Sequence, residues 1–291
     1  MNILVIGAGS YMSNYVIPEL LKRKHAVTAT YHNSVKKIAG VQYVALDISK
    51  PEQFAALPLQ IDLVINFSAY IGEDEAQCRS VNVDGMKNIL AYCAKANVKT
   101  LIHSSSTAVY GKPQFLPVTE QHPLQPNTNY GKSKLEAEKL IQQEAATHGF
   151  GAVLFRYASP FGFGQKVVSV LPLFIQKTRA GETLEYFGDG SRTQEFIYVK
   201  DIATAHLLAL KSKASGAFNI GSSNIVTMKQ LAELIAAIFG NGKANVASKN
   251  QPDTGMPLVI DSSKAARAMG FHAAWDLKTA LEDYARYVLK A

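Results

Sequence analysis

The sequence predicts an α/β protein: a doubly wound parallel sheet, with a smaller α/β substrate-binding lobe towards the C-terminus. Three observations carry that prediction. Short, near-continuously apolar runs alternate with helical periodicity six times in the first part of the chain, the rhythm of parallel strands joined by right-handed crossovers. The first apolar run passes straight into a glycine-containing turn and a helix. The chain has 291 residues, 47% of them hydrophobic and 18% charged, which gives room for a sizeable core at an ordinary polar balance.

The first strand is residues 3–6. The turn Gly7-Ala8-Gly9-Ser10-Tyr11-Met12-Ser13 follows it and leads into a helix reaching about Arg23. Strand, glycine turn and helix are what a dinucleotide pyrophosphate needs: the backbone approaches closely and a helix N-terminus faces the anion. The motif is degenerate. Read as GxGxxG it has Met12 at the third glycine; read as GxxGxxG it has Ser10 and Ser13 at the second and third. Serine is small enough for close helix–strand packing, so the second reading is the better one.

The second strand, 26–31, ends in Thr30-Tyr31-His32-Asn33-Ser34 with Lys36 and Lys37 behind it. No carboxylate stands there to accept from a ribose 2′-hydroxyl, whereas His32 and the lysines can neutralise a 2′-phosphate. This tilts towards NADP, and reads equally well as a solvated basic loop. The third strand is 41–47, with Asp47 where an adenine-contacting acid can lie, and the fourth is 62–69. A helix containing Asn82-Val83-Asp84-Gly85 leads on to Ile89-Leu90. The fifth strand, 100–106, ends in three serines at the carboxyl edge of the sheet, where ligands bind. A helix capped by Asn129 runs to Gly149, and 152–156 is the sixth strand. Further helices are expected at 171–180, 201–211, 228–239 and 277–289, with short strands near 196–199 and 218–220. The expected division is a dinucleotide-binding domain of residues 1–160 plus about 193–222, and a substrate lobe of about 161–192 plus 223–291.

Composition narrows the function. Cys78 and Cys93 fall in expected helices without CxxC or metal-ligand spacing, so free thiols and no metal are expected. No apolar run approaches the roughly 18 residues that span a bilayer. The chain opens on a strand and not on a signal sequence. The expectation is a cytoplasmic protein with no membrane partner. The formal charge is +7, but the lysines are scattered, which argues against nucleic acid and suits an anionic small substrate such as a sugar nucleotide.

Everything else is arranged around Asn129-Tyr130-Gly131-Lys132-Ser133-Lys134. Tyr130 and Lys134 sit four apart, so one helical turn stacks them on one face. An ammonium beside a phenol stabilises the phenolate and makes an acid/base device. Taken alone the pair means little: with thirteen tyrosines and lysine at roughly one position in thirteen, about one such spacing arises by chance.

Its company gives it meaning. In order along the chain come the glycine turn, Leu46-Asp47-Ile48, Asn66-Phe67-Ser68-Ala69, Asn82-Val83-x-Gly85 and Ser104-Ser105-Ser106-Thr107-Ala108-Val109-Tyr110-Gly111. Tyr130-x-x-x-Lys134, Arg156-Tyr157-Ala158-Ser159-Pro160-Phe161-Gly162, Gly188 to Val199, Asn219-Ile220-Gly221 and Asp261-Ser262-Ser263-Lys264 complete the series. Over its whole length the chain resembles the extended short-chain dehydrogenase/reductases, in particular the NAD(P)-dependent nucleotide-sugar epimerase/dehydratase group, which implies a Rossmann domain.

The resemblance implies that Tyr130 is the general acid/base on the sugar, that Lys134 holds the nicotinamide ribose and lowers the tyrosine pKa, and that Ser106 bonds the same sugar oxygen. NAD or NADP is the implied cofactor. Its pyrophosphate turn is Gly7, Ser10, Tyr11 and Met12, its adenosine end meets His32, Asn33, Lys36, Asp47 and Ile48, and Phe67, Ser68, Ala69 and Asn82 lie along it. Ser104, Tyr157 and Ser159 surround its nicotinamide end. A nucleoside-diphosphate sugar would meet Ser106, Thr107, Ala108, Ser159, Arg192 and Tyr198. The implied activity is C4 epimerisation of a nucleoside-diphosphate hexose through a 4-keto intermediate. The alternatives are NADPH-dependent reduction of a 4-keto-6-deoxyhexose and, in another class, a non-catalytic dinucleotide sensor. A homodimer through helices near 86–95 and 132–144 is implied, as is a place in polysaccharide precursor synthesis. Departures are Gln194 where the pattern usually has arginine, Ser159 where many members have asparagine, and Thr107-Ala108 where dehydratases of this group carry an acidic pair.

Overall fold

The computed structural model describes residues 1–166, 169–240 and 244–288. The first unit of the fold is β1 (Asn2–Ile6), the turn, and α1 (Ser13–Lys22). It is followed by β2 (Ala26–Tyr31), β3 (Val41–Ala45) and β4 (Leu63–Asn66). The expected helix through Asn82 is there in three pieces: α2 (Glu75–Gln77), a π-helical stretch Cys78–Asp84, and α3 (Gly85–Lys95). Then come β5 (Thr100–Ser104), α4 (Asn129–His148) and β6 (Gly151–Tyr157).

The next segment departs from simple alternation. It contains β7 (Ser159–Phe161), α5 (Val170–Arg179), β8 (Leu184–Tyr186), β9 (Thr193–Tyr198) and α6 (Val199–Ala209). The chain closes with β10 (Gly216–Ile220), β11 (Ile225–Thr227), α7 (Met228–Phe239), β12 (Val246–Ser248), α8 (Ser263–Met269) and α9 (Leu277–Val288). The last residue of the helix expected at 277–289 lies outside the described residues.

The main sheet has seven strands in the order β10-β6-β5-β4-β1-β2-β3, all parallel. The sequence rhythm yields six. The seventh is the short 216–220 run, which returns to pair with β6 from Gly216 opposite Val153 to Ile220 opposite Tyr157. Pairing depends on this long-range register, which local periodicity does not carry.

Alternation within the strands sorts the core by face. Ile3, Val5, Ile65, Ile102, Val153 and Phe155 pack with Val16, Ile17 and Leu20 of α1 and Ile202 and Ala205 of α6. Leu4, Ile6, Val64, Leu101 and Leu154 point the other way, onto Met86, Ile89 and Leu90 of α3 and Ala137 and Ile141 of α4. A third core, around Phe161, Phe174, Phe196, Leu231 and Leu281, is built from α5, α7, α9 and the small sheet β11-β9-β7.

A second correction concerns the cap of α4. Thr128, not Asn129, is the N-cap, its Oγ1 accepting from Gly131 N–H at 3.0 Å. Asn129 is already helical, and its side chain donates to the Glu73 carbonyl at 2.9 Å. Both residue types cap well; tertiary contact with Glu73 decided between them. Gly149 ends the helix in the left-handed region, φ +69°, as a C-terminal glycine should.

Candidate functional site

A cavity of about 1090 Å³ runs along the carboxyl ends of the central strands, from the β1–α1 turn to Arg192 and Gln194 at the start of β9. Gly7 opens it with φ +87°; a Cβ there would stand 2.8 Å from Ser68 N. That crowding brings the turn against the end of β4, and only glycine allows it. Gly7, Gly9, Ser10, Tyr11 and Met12 line the cavity at the start of α1. Ser13 does not: it is fully buried, its hydroxyl donating towards Ala8 O and Ser10 O. The serine thus fills the third-glycine position by bonding the turn to itself. Backbone crowding at Gly7 followed by a helix N-terminus fits a pyrophosphate.

His32, Asn33, Asp47 and Ile48 line the same end. His32 Nε2 lies 3.7 Å from Asp47 Oδ2, and Asp47 is held by Ser49, whose N–H and hydroxyl both donate to Oδ1. Lys36 is not brought here. It lines a separate groove with Lys22 and Arg23 on the far side of α1, so the basic cluster expected after β2 is split, and a carboxylate stands beside its histidine. Thr30, Ser34 and Lys50 join the lining without having been singled out by sequence.

The central part is lined by Phe67, Ser68, Ala69, Ser104, Ser106, Thr107, Tyr130, Tyr157 and Ser159. Ser106 caps the short 3-10 turn Thr107–Tyr110, accepting from Ala108 N–H at 3.1 Å, which leaves its own hydroxyl proton for Tyr130. Ala108 does not reach the cavity: its N–H serves Ser106, and its carbonyl would stand 2.6 Å from a Cβ on Gly131. Gly131 therefore lets the first turn of α4 press against the Thr107–Tyr110 turn, which sets Tyr130 beside Ser106. Burial pushes the Tyr130 phenol up to about 12, against the opposing effect of its hydrogen bond with Ser106.

Lys134 is also absent from the cavity wall. It is 1% exposed, and its Nζ donates to Ser104 O at 2.6 Å and lies 3.1 Å from His103 Nε2. Burial lowers it from 10.5 to about 8. Beyond it, His103 Nδ1 is 3.1 Å from Asn66 Nδ2, and Asn66 Oδ1 accepts from Ser68 N–H at 2.9 Å and from its hydroxyl at 2.5 Å. His103, buried among strands, looks in the sequence like a core residue, and nothing there separates it from one.

One turn on, Glu138 joins the same helix to the sheet. Its carboxylate pairs with Arg156 at 2.5 and 2.9 Å and accepts from Ser105 Oγ at 2.5 Å. Arg156 donates on to Tyr110 Oη at 2.9 Å, which donates to Asn219 Oδ1 at 2.7 Å. Asn82, expected at the cofactor, is a structural residue in this arrangement: its amide bridges the Tyr70 backbone and Ser133 Oγ. Tyr157 closes the site, its hydroxyl 3.1 Å from Ser104 Oγ, and burial raises its pKa.

At the far end Arg192 Nε donates to Asp253 Oδ2 at 2.8 Å and its Nη1 to Gln194 Oε1 at 3.1 Å; Gln194 Nε2 donates to Ser159 Oγ at 2.5 Å. The period-two offset of 192 from 194 does put both on the cavity side. Tyr198 is not brought to the cavity: it is fully buried, and its hydroxyl donates to Asp283 at 2.6 Å. Gln165 and Ser169 complete this end, also unannounced by sequence.

A family model described as NAD dependent epimerase/dehydratase family matches residues 3–221. The UDP-glucose 4-epimerase of Halalkalibacterium halodurans is 29% identical over 97% of this chain and 94% of its own. The low-salt glycan biosynthesis protein Agl12 of Haloferax volcanii is 28% identical over 99% of both chains. The crystal structure of UDP-glucose 4-epimerase with UDP-glucose from Thermotoga maritima superposes with a TM-score of 0.91 at 26% identity, covering 100% of this chain and 99% of that one.

Proposed function

The chain belongs to the NAD-dependent epimerase/dehydratase family, and from that premise we propose that it interconverts UDP-hexoses epimeric at C4. The observation that carries this reading is the meeting of Ser106 and Tyr130 in one cavity that extends unbroken from the glycine turn to Arg192. The Gly7–Met12 turn with Asp47 and Ile48 would hold NAD, which would supply reversible hydride acceptance at the sugar C4. Tyr130 takes the proton of the C4 hydroxyl as the oxygen becomes a carbonyl, and returns it when hydride comes back to the other face. Ser106, whose hydroxyl stands beside Tyr130, donates to that oxygen when the sugar is bound and stabilises the charge developing on it. Arg192 meets the diphosphate, and residues 161–192 with 223–291 form the lobe that receives the nucleotide. No group at Thr107 or Ala108 moves a proton, so the 4,6-elimination is absent.

We place the enzyme in the cytoplasm as a homodimer paired through α3 and α4. The test is to denature the purified protein and identify the released nucleotide, then to incubate native protein with UDP-glucose or UDP-galactose and follow the epimer. Stoichiometric NAD and interconversion are expected. A protein that releases nothing, binds NADPH in preference to NADH and leaves both sugars unchanged would sink the epimerase reading.

A further inference from the structure

The sequence scatters its lysines, but the fold gathers some of them. Away from the main cavity, a groove of about 860 Å³ runs between α1 and α6. These helices pack on the same face of the sheet. Each delivers the chain to the N-terminal edge of a parallel strand, α1 to β2 and α6 to β10, so they run in the same direction. Pro18 of α1 and Ala203, Leu207 and Leu208 of α6 line the middle of the groove.

The two ends differ in chemistry. Rings stand where the helices begin. Tyr15 Oη reaches the Phe163 carbonyl at 3.5 Å, Phe163 stacks on Tyr287 with centroids 5.6 Å apart, and Lys200 Nζ lies 4.8 Å from the Trp275 ring. Phe163 and Tyr287 are 38% and 40% exposed, so ring surface is open to a ligand. Cations stand where the helices end: Lys22 and Arg23 on α1, Lys211 just past α6, and Lys36 from the β2–β3 loop.

Local charges do not account for that cluster. Glu19 pairs with Lys22 and Arg23 at 2.6 and 2.7 Å. The C-termini of the two helices add about one negative charge between them, which leaves roughly two positive charges uncompensated. Lys36 and Lys211 have no carboxylate within ion-pair distance among the described residues. Lys200, at the opposite end, is already held by Asp283 at 2.6 Å.

We propose that this groove binds a nucleoside polyphosphate, its base on the Phe163 and Tyr287 rings and its phosphates among Lys22, Arg23, Lys36 and Lys211. The length agrees. Lys200 and Lys211 lie eleven positions apart, roughly 16 Å along the helix axis, which an extended nucleoside triphosphate spans and a monophosphate does not. Gly164 borders both this groove and the main cavity, so the two spaces are neighbours with separate linings. The proposal does not depend on the activity proposed above.

Trp275 is the only tryptophan of the chain and lines the groove, so its fluorescence reports on occupancy. With NAD and UDP in excess to fill the main cavity, ATP should quench it saturably and more tightly than AMP, and salt should weaken the effect. Phe163→Ala and Lys211→Glu change exposed side chains and should fold. Phe163→Ala should weaken ATP about fivefold or more and leave the calorimetric affinity for inorganic triphosphate unchanged. Lys211→Glu should weaken both about threefold or more. No saturable quench at millimolar ATP, or an ATP affinity unmoved in both variants, overturns the inference. So does a single-stranded oligonucleotide that displaces ATP far more tightly, which would make the groove a nucleic-acid surface. The nucleotide-release and epimer assays decide the proposed activity separately, whatever Trp275 shows.

Discussion

In the proposed mechanism Tyr130 is the residue on which the chemistry turns, and Tyr130→Phe removes that proton acceptor while leaving the ring. A loss of about 10²–10⁴ in kcat is expected, with bound nucleotide retained, as UDP-glucose assays and the nucleotide content of the purified variant would show. Ser106→Ala should lose about 10²-fold or more in kcat, since it removes a donor to the developing charge. Lys134 makes a prediction about stability. Its folded pKa of about 8 lies below the ordinary 10.5, so between those values the unfolded chain binds more protons than the native one. The lysine's contribution to stability must rise with pH through that window, by at most about 1.4 kcal/mol per unit. Below pH 8 the lysine is charged in both states and its burial penalty is carried in full. Phenols raised by burial, Tyr110 and Tyr130 at about 12, act oppositely above pH 10, and the buried thiols Cys78 and Cys93, also raised by burial, do so from about pH 8.5. Denaturant unfolding between pH 8 and 9.5 should show a more positive slope of stability against pH in the wild-type protein than in Lys134→Met, which keeps the same thiols and phenols; equal slopes would contradict the assignment. At this scale the sequence was most legible where spacing mattered. Tyr130 and Lys134 read directly from a four-residue interval, and the Arg192–Gln194 pair from a two-residue one. His103 and Asn66 were illegible because their role comes from pairing across β4 and β5, where Asn66 lies opposite His103.

Among the elements, α4 joins the chemistry to the framework. Its first turn carries Tyr130 against Ser106, its second buries Lys134, and Glu138 just beyond ties it to β5 through Ser105 and to β6 through Arg156. Glu138 and Arg156 are 1% and 2% exposed, so removing either partner strands a buried charge. Arg156→Leu should destabilise by about 3–5 kcal/mol, seen as a lowered denaturant midpoint, with the folded fraction still binding nucleotide. The Thr107–Tyr110 turn makes a chemical prediction. It offers no carboxyl where elimination would need an acid and a base, so incubation with nucleoside-diphosphate glucose should release no 4-keto-6-deoxy product; detection of that product would refute the reading. Element boundaries were legible where local chemistry fixes them: α7 runs Met228–Phe239 as periodicity predicts, opening on a Thr227–Gln230 capping box. The π-helical stretch through Asn82 and the short helix α8 were not legible. The first depends on Asn82 bonding Tyr70 and Ser133, and the second on Lys264 reaching back to the Ala217 carbonyl at 2.7 Å.

At the scale of the molecule the proposed function uses two binding surfaces at the two ends of one cavity, and these serve as its two walls. The glycine turn, with Asp47 and Ile48, belongs to the seven-stranded sheet, while Arg192 and Gln194 belong to the strand and loops packed on the third core. Two partners bound to these two walls should stabilise additively and be separable by mutation. A ligand at a hundred times its Kd contributes about 2.7 kcal/mol, which for a chain of this size raises Tm by roughly 5 °C or more. UDP alone should produce such a rise, and NAD added to nucleotide-free protein should produce another. The two walls differ in what holds them. Arg192 is positioned by Asp253 and Gln194, and the two side chains of the ion pair, Arg192 and Asp253, are 18% and 17% exposed, so replacing Arg192 leaves no fully buried charge stranded. Arg192→Ala should therefore fold, abolish most of the rise with UDP, and leave the rise with NAD intact. Loss of both responses together would mean that the variant disturbs the whole cavity, and an undiminished response to UDP would mean that the diphosphate lies elsewhere.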